Sequence, residues 1–211
     1  MAIEAADNLV AHGTPKQRDR VARILKSARQ AFAENAFHKV LMDDVARRAG
    51  VGKGTIYRYF PDKESLYFAV IFDGLGSLQR SIRSCLKVEE DQEAQIRELV
   101  HTLVSFFSRN GFFFQLMNVE DTQVEGGNSP NRRRWHQERA KLIGAIAEML
   151  GHVRVTGSER VFYPRTEAQI LLGMVRSLLI YNEDKLTVEQ MSDEIVQIYL
   201  YGIGRQGNGI T

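Results

Sequence analysis

One cysteine, four prolines and no long apolar run set the first limits on this chain of 211 residues. A lone Cys85 excludes an intramolecular disulfide and fits a reducing compartment, where it serves as a small buried hydrophobe. Four prolines are too few for long extended linkers. No stretch approaches the roughly 18 apolar residues of a membrane span, and the N-terminal MAIEAADNLVAHGT lacks the basic-then-apolar layout of a signal peptide. A cytoplasmic protein without membrane contact is expected. His12, His38, His101, His136 and His152 show no i, i+4 metal pair, and the chain has no cysteine cluster, no HExxH and no glycine-rich phosphate loop. No nucleophile with its base can be picked from spacing, so no metal, no cofactor and no enzymatic activity are expected.

What is present is an ordinary globular composition, 44% apolar and 26% charged, long enough for one large or two modest domains. Charge is unevenly placed. From Thr14 to Lys63 there are 12 Lys/Arg against 5 Asp/Glu, whereas the remaining residues hold 16 against 21. The N-terminal part is therefore strongly basic and the rest mildly acidic, the footprint of a nucleic-acid-binding head joined to a body with another task.

Within the basic part, Leu41 to Lys63 (LMDDVARRAGVGKGTIYRYFPDK) reads as a short helix, a tight turn on Gly50-Val51-Gly52, a second short helix and a break at Pro61. Two short helices about a glycine-containing turn are the sequence form of a helix-turn-helix. In the second helix Ile56 and Phe60 stack as a buried i, i+4 pair. Lys53 with Tyr57, Gly54 with Arg58, and Thr55 with Tyr59 form the other rows, and no acid interrupts them. Gly54 is tolerable if backbone must approach another molecule closely. Lys53 and Lys63 both stand at helix N-termini, where a cation opposes the helix dipole and an incoming phosphate would reverse the penalty.

Ahead of the motif, residues 1–14 show no periodicity. Thr14 and Pro15 open a helix over about Pro15 to Glu34, with Val21, Ile24, Leu25, Ala28 and Phe32 on its apolar stripe. The first motif helix spans about Met42 to Ala49 with Val45, Ala46 and Ala49 inward, and Asp62 caps a further helix running to about Leu86. Gly74 and Gly76 inside that helix mark a possible flexible point.

The segment from Pro15 to about Phe72 resembles the DNA-binding domain of the TetR family of bacterial transcriptional regulators. The resemblance is carried by Ala31-Phe32, Phe37, Val45-Ala46, Ala49-Gly50-Val51, Lys53-Gly54-Thr55-Ile56-Tyr57, Tyr59-Phe60 and Lys63-Glu64-Ser65-Leu66. It implies that Thr55, Tyr57 and Tyr59 bond phosphates, that Lys53 and Arg58 lie near base edges or backbone with Gly54 between them, and that Lys63 clamps a phosphate. The family often has Ser at the start of the recognition helix and Ser or Thr at the start of the preceding one. Here these positions hold Gly52 and Leu41, which removes two hydroxyl contacts.

Beyond residue 65 the pattern stays helical, giving an all-α fold: a three-helix DNA-binding domain over residues 15–65, then a helical body over 66–211. Gln92 to Ser108 is amphipathic, and Asn131 to Leu150 carries Trp135, Leu142, Ile146 and Met149. Gly151 to Pro164 lacks helical pattern. The last two helices, about Thr166 to Asn182 and Val188 to Gly204, form a hairpin with more apolar surface than one protomer easily covers. Ile170, Leu171, Met174, Leu178, Ile195, Ile198, Tyr199 and Gly202 are the interface candidates; in the family this pair builds a four-helix bundle with its twin. A two-fold homodimer on a near-palindromic double-stranded operator follows.

Phe106, Phe113, Met117, Trp135 and Met174 belong to an aromatic and methionine cluster suited to an adaptable apolar pocket, although such stripes are more often plain core. The resemblance implies a small-molecule site in the body. The leading expectation is a DNA-binding regulator, a repressor released by a small apolar or amphipathic ligand. The other is a helical small-molecule-binding protein or enzyme whose head no longer reads DNA.

Overall fold

The computed structural model describes residues 13–85, 91–111, 130–152 and 163–202. They form α1 (Pro15–Glu34), a 3-10 turn (Phe37–Lys39), α2 (Met42–Arg48), α3 (Lys53–Tyr59), α4 (Lys63–Ser84), α5 (Gln92–Arg109), α6 (Pro130–His152), α7 (Pro164–Ile180) and α8 (Val188–Tyr201). Among the described residues there is no strand, and no helix is long and apolar enough to cross a membrane. The chain divides into two compact units, residues 1–75 with 115–135 and residues 76–114 with 136–211.

In the first unit α1 is set at its start by a reciprocal cap. The Thr14 hydroxyl accepts from the Gln17 backbone N–H at 3.3 Å, and the Thr14 N–H donates to the Gln17 side chain at 2.8 Å. Such a cap contributes about 1 kcal/mol. Val21, Ile24 and Ala28 of α1 are fully buried, as are Val45, Ile56, Phe60, Leu66 and Val70 elsewhere in the unit. α1 packs on α2, and α2 on α3. Beside this core Phe32, Phe37 and Tyr67 form an aromatic triad with ring centroids 6.0, 4.9 and 5.1 Å apart. Burial pushes the Tyr67 hydroxyl up to about 12.

α4 begins where Asp62 accepts from the Ser65 N–H at 2.6 Å. It runs unbroken through Gly74 and Gly76, where the chain passes from the first compact unit to the second. Leu75, Leu78 and Ile82 beside the glycines are all but fully buried, and that packing outweighs the roughly 1 kcal/mol a helical glycine costs. Asp73 is further tied to Arg29 of α1 at 2.6 Å.

In the second unit α5 packs against α7 and α8, and these two pack on each other. Ile96, Leu99, Val100, Leu103 and Val104 supply one side of the core; Leu171, Val175, Ile195 and Val196 supply the other. The turn between α7 and α8 is closed by Asn182, which bonds the backbone N–H and C=O of Leu186 at 2.7 and 2.9 Å. α8 opens on a second reciprocal cap, Thr187 with Gln190, and ends at Gly202 with φ +76. Arg97 of α5 bridges Glu93 and Asp193, and the Tyr201 hydroxyl donates to Glu93, tying the middle and the C-terminal end of α8 to α5. These two donors keep the Glu93 carboxyl below its usual range, Tyr201 contributing most.

Candidate nucleic-acid interface

The geometry of the site begins at the turn between α2 and α3. Gly50 has φ +63, a conformation that side-chain-bearing residues rarely adopt. Its N–H donates to Arg47 C=O at 3.2 Å, and the next N–H, of Val51, reaches back to Ala46 C=O at 3.0 Å. Those two bonds are the Schellman closure that ends a helix and reverses the chain. Arg23 from α1 adds a third tie, donating to Ala49 C=O at 2.9 Å. A Cβ at Gly50 would be strained by the positive φ and would press on that guanidinium at 3.3 Å. The turn therefore fixes how α3 leaves α2.

α3 buries Ile56 and Phe60 completely. Lys53, Gly54, Tyr57 and Arg58 are exposed, and Thr55 is half-buried. A Cβ at Gly54 would meet nothing within 4 Å, which leaves the backbone there open to a close neighbour. Tyr59 is a correction: it is 5% exposed and belongs to the core, with the Arg58 guanidinium 5.3 Å from its ring centroid. The buried stripe of a short helix is wide enough to take in the residue beside Phe60, so Tyr59 supports Arg58 and does not face outward.

The two lysines are not bare cations. Lys53 Nζ donates to Asp43 at 2.8 Å, and this bond, ahead of the carboxylate's charge, holds the ammonium above its usual pKa. Lys63 Nζ donates to the carbonyls of His38 and Val40, both at 3.2 Å, and stands 4.7 Å from the Phe37 ring centroid. Two of its three N–H groups are thus used to close the 3-10 turn, and one is left for a phosphate. The argument from cations misplaced on helix dipoles weakens accordingly, because each has a partner in the protein. Leu41, at the start of α2, makes no capping bond and is 59% exposed.

Asp43 and Arg23 were not singled out as site residues by the sequence. The pairing of Asp43 with Lys53 joins the first turns of two helices ten residues apart, a contact no helical periodicity encodes. A basic residue at a helix N-terminus was the available signal that an acid lay nearby.

Trp135, which clusters with the first unit, is 2% exposed and its indole N–H has no hydrogen-bond partner. Phe106 and Met174 are half-buried; Phe113 and Met117 lie outside the described residues. A groove of about 410 Å³ between α5 and α8 is lined by Ala94, Arg97, Glu98, His101, Glu189, Ser192, Asp193 and Val196, so it contains none of these candidates. Among the described residues no group of three or more His, Cys, Asp or Glu could hold a metal ion.

On the α7–α8 hairpin, Ile170 (46%) and Ile198 (38%) are exposed, Met174, Leu178 and Tyr199 are half-buried, and Gly202 is exposed at the end of α8. Leu171 and Ile195 are a second correction, both being fully buried. They are buried where α5, α7 and α8 of the same chain pack together and are unavailable to a partner. Ile180, Tyr181 and Tyr201 are further exposed apolar residues on the hairpin.

Residues 24–70 match the model of the bacterial regulatory proteins of the tetR family. The chain is 28% identical over 107 residues to the HTH-type transcriptional activator FasR of Mycolicibacterium smegmatis, a match covering 51% of this chain and 49% of FasR. It is 29% identical over 165 residues to the HTH-type transcriptional regulator UidR of Escherichia coli, covering 77% and 71% of the two chains. Its fold is shared with the transcriptional regulator FadR of Bacillus subtilis, solved in complex with stearoyl-CoA, at a TM-score of 0.67 and 18% identity over 86% of this chain and 98% of that one. The Schellman-closed turn and the solvent-facing α3 both lie inside the segment, residues 24–70, that matches the tetR family of bacterial regulatory proteins.

Proposed function

We propose that the protein is a homodimeric, DNA-binding transcriptional regulator, a repressor released from a near-palindromic operator by a small apolar or amphipathic ligand. The observation that carries this reading is the outward face of α3: Lys53, Gly54, Tyr57 and Arg58 exposed together, without an acid on the helix and with open space over Gly54. In this reading residues 1–14 are an arm, 15–65 the DNA-reading head, and 66–211 the ligand-binding and dimerising body. Lys53 and Arg58 approach base edges or phosphates, Tyr57 and Thr55 bond the backbone, and Lys63 offers its remaining N–H to a phosphate.

The hairpin supports the dimer. Six of the exposed large apolar residues, Tyr163, Ile170, Ile180, Tyr181, Ile198 and Tyr201, lie on it or beside its start. Two recognition helices related by a two-fold axis read two half-sites. A ligand that favours another spacing of the heads lowers operator affinity by its differential binding to the two states.

For the ligand, an acyl thioester is the class best supported, because the B. subtilis FadR structure holds stearoyl-CoA and the fold is shared. The test is a titration at fixed salt of protein bound to a duplex selected from a randomised pool. Acyl-CoAs of increasing chain length should release the duplex, and unchanged affinity with every chain length would overturn the acyl-ligand reading.

A further inference from the structure

The structure assigns Asp43 a part in reading DNA: with Lys53 it forms a fixed acceptor and donor pair that fits the major-groove edge of a G·C base pair and holds Lys53 back from phosphates elsewhere. The inference rests on the reading of α3 as the DNA-contacting helix and adds a residue from the helix before it. Lys53 Nζ and Asp43 Oδ2 are 2.8 Å apart, with side chains 69% and 52% exposed, so the pair stands open to solvent. It joins the first turn of α3 to the first turn of α2, and residues at the start of a recognition helix are the ones that reach base edges.

The chemistry of the pair matches one base pair better than the other. Guanine offers two acceptors side by side, N7 and O6, and cytosine offers the N4 donor next to them. O6 and N4 are hydrogen-bonded to each other in the base pair, so they stand one hydrogen bond apart, as do Lys53 Nζ and Asp43 Oδ2. Asp43 occupies one of the three ammonium N–H groups and leaves two for O6 and N7, while a carboxylate lone pair accepts from N4. An A·T pair puts a donor beside N7 and a methyl beside its lone acceptor, so the ammonium loses its second acceptor.

Against a phosphate the same pair is a poor partner. Lys53 can still offer a phosphate its two remaining N–H groups, but the bonded carboxylate then stands near a like charge. While paired, the two groups are neutral together and add little to counterion release. Asp43 thus lowers binding to generic DNA while leaving a suitable base edge readable.

The experiment uses the full chain as wild type, Asp43→Asn, Asp43→Ala, Lys53→Ala and Asp43→Asn with Lys53→Ala. The probes are a random-sequence duplex and a duplex selected from a randomised pool by the wild type. Asp43→Asn should tighten binding to the random duplex by about threefold or more at low salt and steepen the salt dependence by about one charge per protomer. The gain should shrink when Lys53 is absent, and selection with Asp43→Asn should lose a G·C preference that the wild type shows. Asp43→Ala should behave alike, and an unchanged melting temperature in either variant separates the effect from folding. Salt-dependent wild-type binding with unchanged random-duplex affinity and base preference in both variants would overturn the role of Asp43 alone. An equal gain with and without Lys53 would overturn it too. Wild-type protein that shows no salt-dependent binding to either duplex would overturn the reading of α3 and the inference with it.

Discussion

The exposed large apolar residues of the described chain fall in two regions, and their surroundings differ. In the head they are Phe37, Leu41 and Tyr57. Lys63 stands over the first of these rings and Lys53 is 6.0 Å from the last. On the α7–α8 hairpin and beside its start they are Tyr163, Ile170, Ile180, Tyr181, Ile198 and Tyr201, in the part of the chain where acids outnumber bases. Apolar surface among cations suits a polyanion whose sugars and bases are themselves partly apolar. Apolar surface without that charge suits another protein surface of the same kind. One kind of exposed residue therefore serves two kinds of partner, and charge separates them.

The largest expected effect comes from breaking the hairpin side. Ile170→Asp with Ile198→Asp should convert a dimer to a monomer in sedimentation and lower affinity for a two-half-site duplex by about a hundredfold or more, because each head then binds alone. A variant that stays dimeric would move the interface elsewhere. Tyr67 gives the next effect and concerns the head's own core. Its folded-state pKa is raised, so its contribution to stability is full below about pH 10 and is lost as pH rises through about 12. Wild type should lose about 2–3 kcal/mol relative to Tyr67→Phe across that interval, measured by denaturant midpoints.

Lys63→Ala should cost about 1–2 kcal/mol of stability by leaving the His38 and Val40 carbonyls without their donor. It should also weaken DNA binding, and a loss of DNA affinity without any loss of stability would show that Lys63 is a free phosphate clamp after all. The smallest effect sharpens the contrast most. Gly54→Ala should raise stability by about 0.5–1 kcal/mol, since a Cβ there meets nothing, yet weaken binding to the duplex. The same substitution on the hairpin, Gly173→Ala, also meets nothing within 4 Å and should leave DNA contacts at each half-site alone.

Much of this was legible from local pattern. The limits of α1 follow from Thr14, Pro15 and the stripe ending at Phe32, and the turn at Gly50 follows from the need for positive φ. Tyr59 is misread from its row because that row also holds the half-buried Thr55, and the polar tip of a tyrosine does not reveal its ring's burial. Leu171 and Ile195 were misplaced for another reason. A helix hairpin with two apolar faces gives one mixed list in sequence, and only packing against α5 shows which face is already covered. The partners of Lys53 and Lys63 were missed because both lie on other elements, 10 and 23 to 25 residues away.

The measurement that bears most directly on the exposed face of α3 is binding to a selected duplex across a salt series, for wild type and for Lys53→Ala with Arg58→Ala. Both residues are exposed, so the fold should survive. Wild-type affinity should fall steeply and log-linearly with salt, and the variant should bind at least about tenfold more weakly at low salt, with a slope shallower by one to two charges per protomer. Equal affinity and an equal slope in the variant would contradict the assignment of DNA reading to α3.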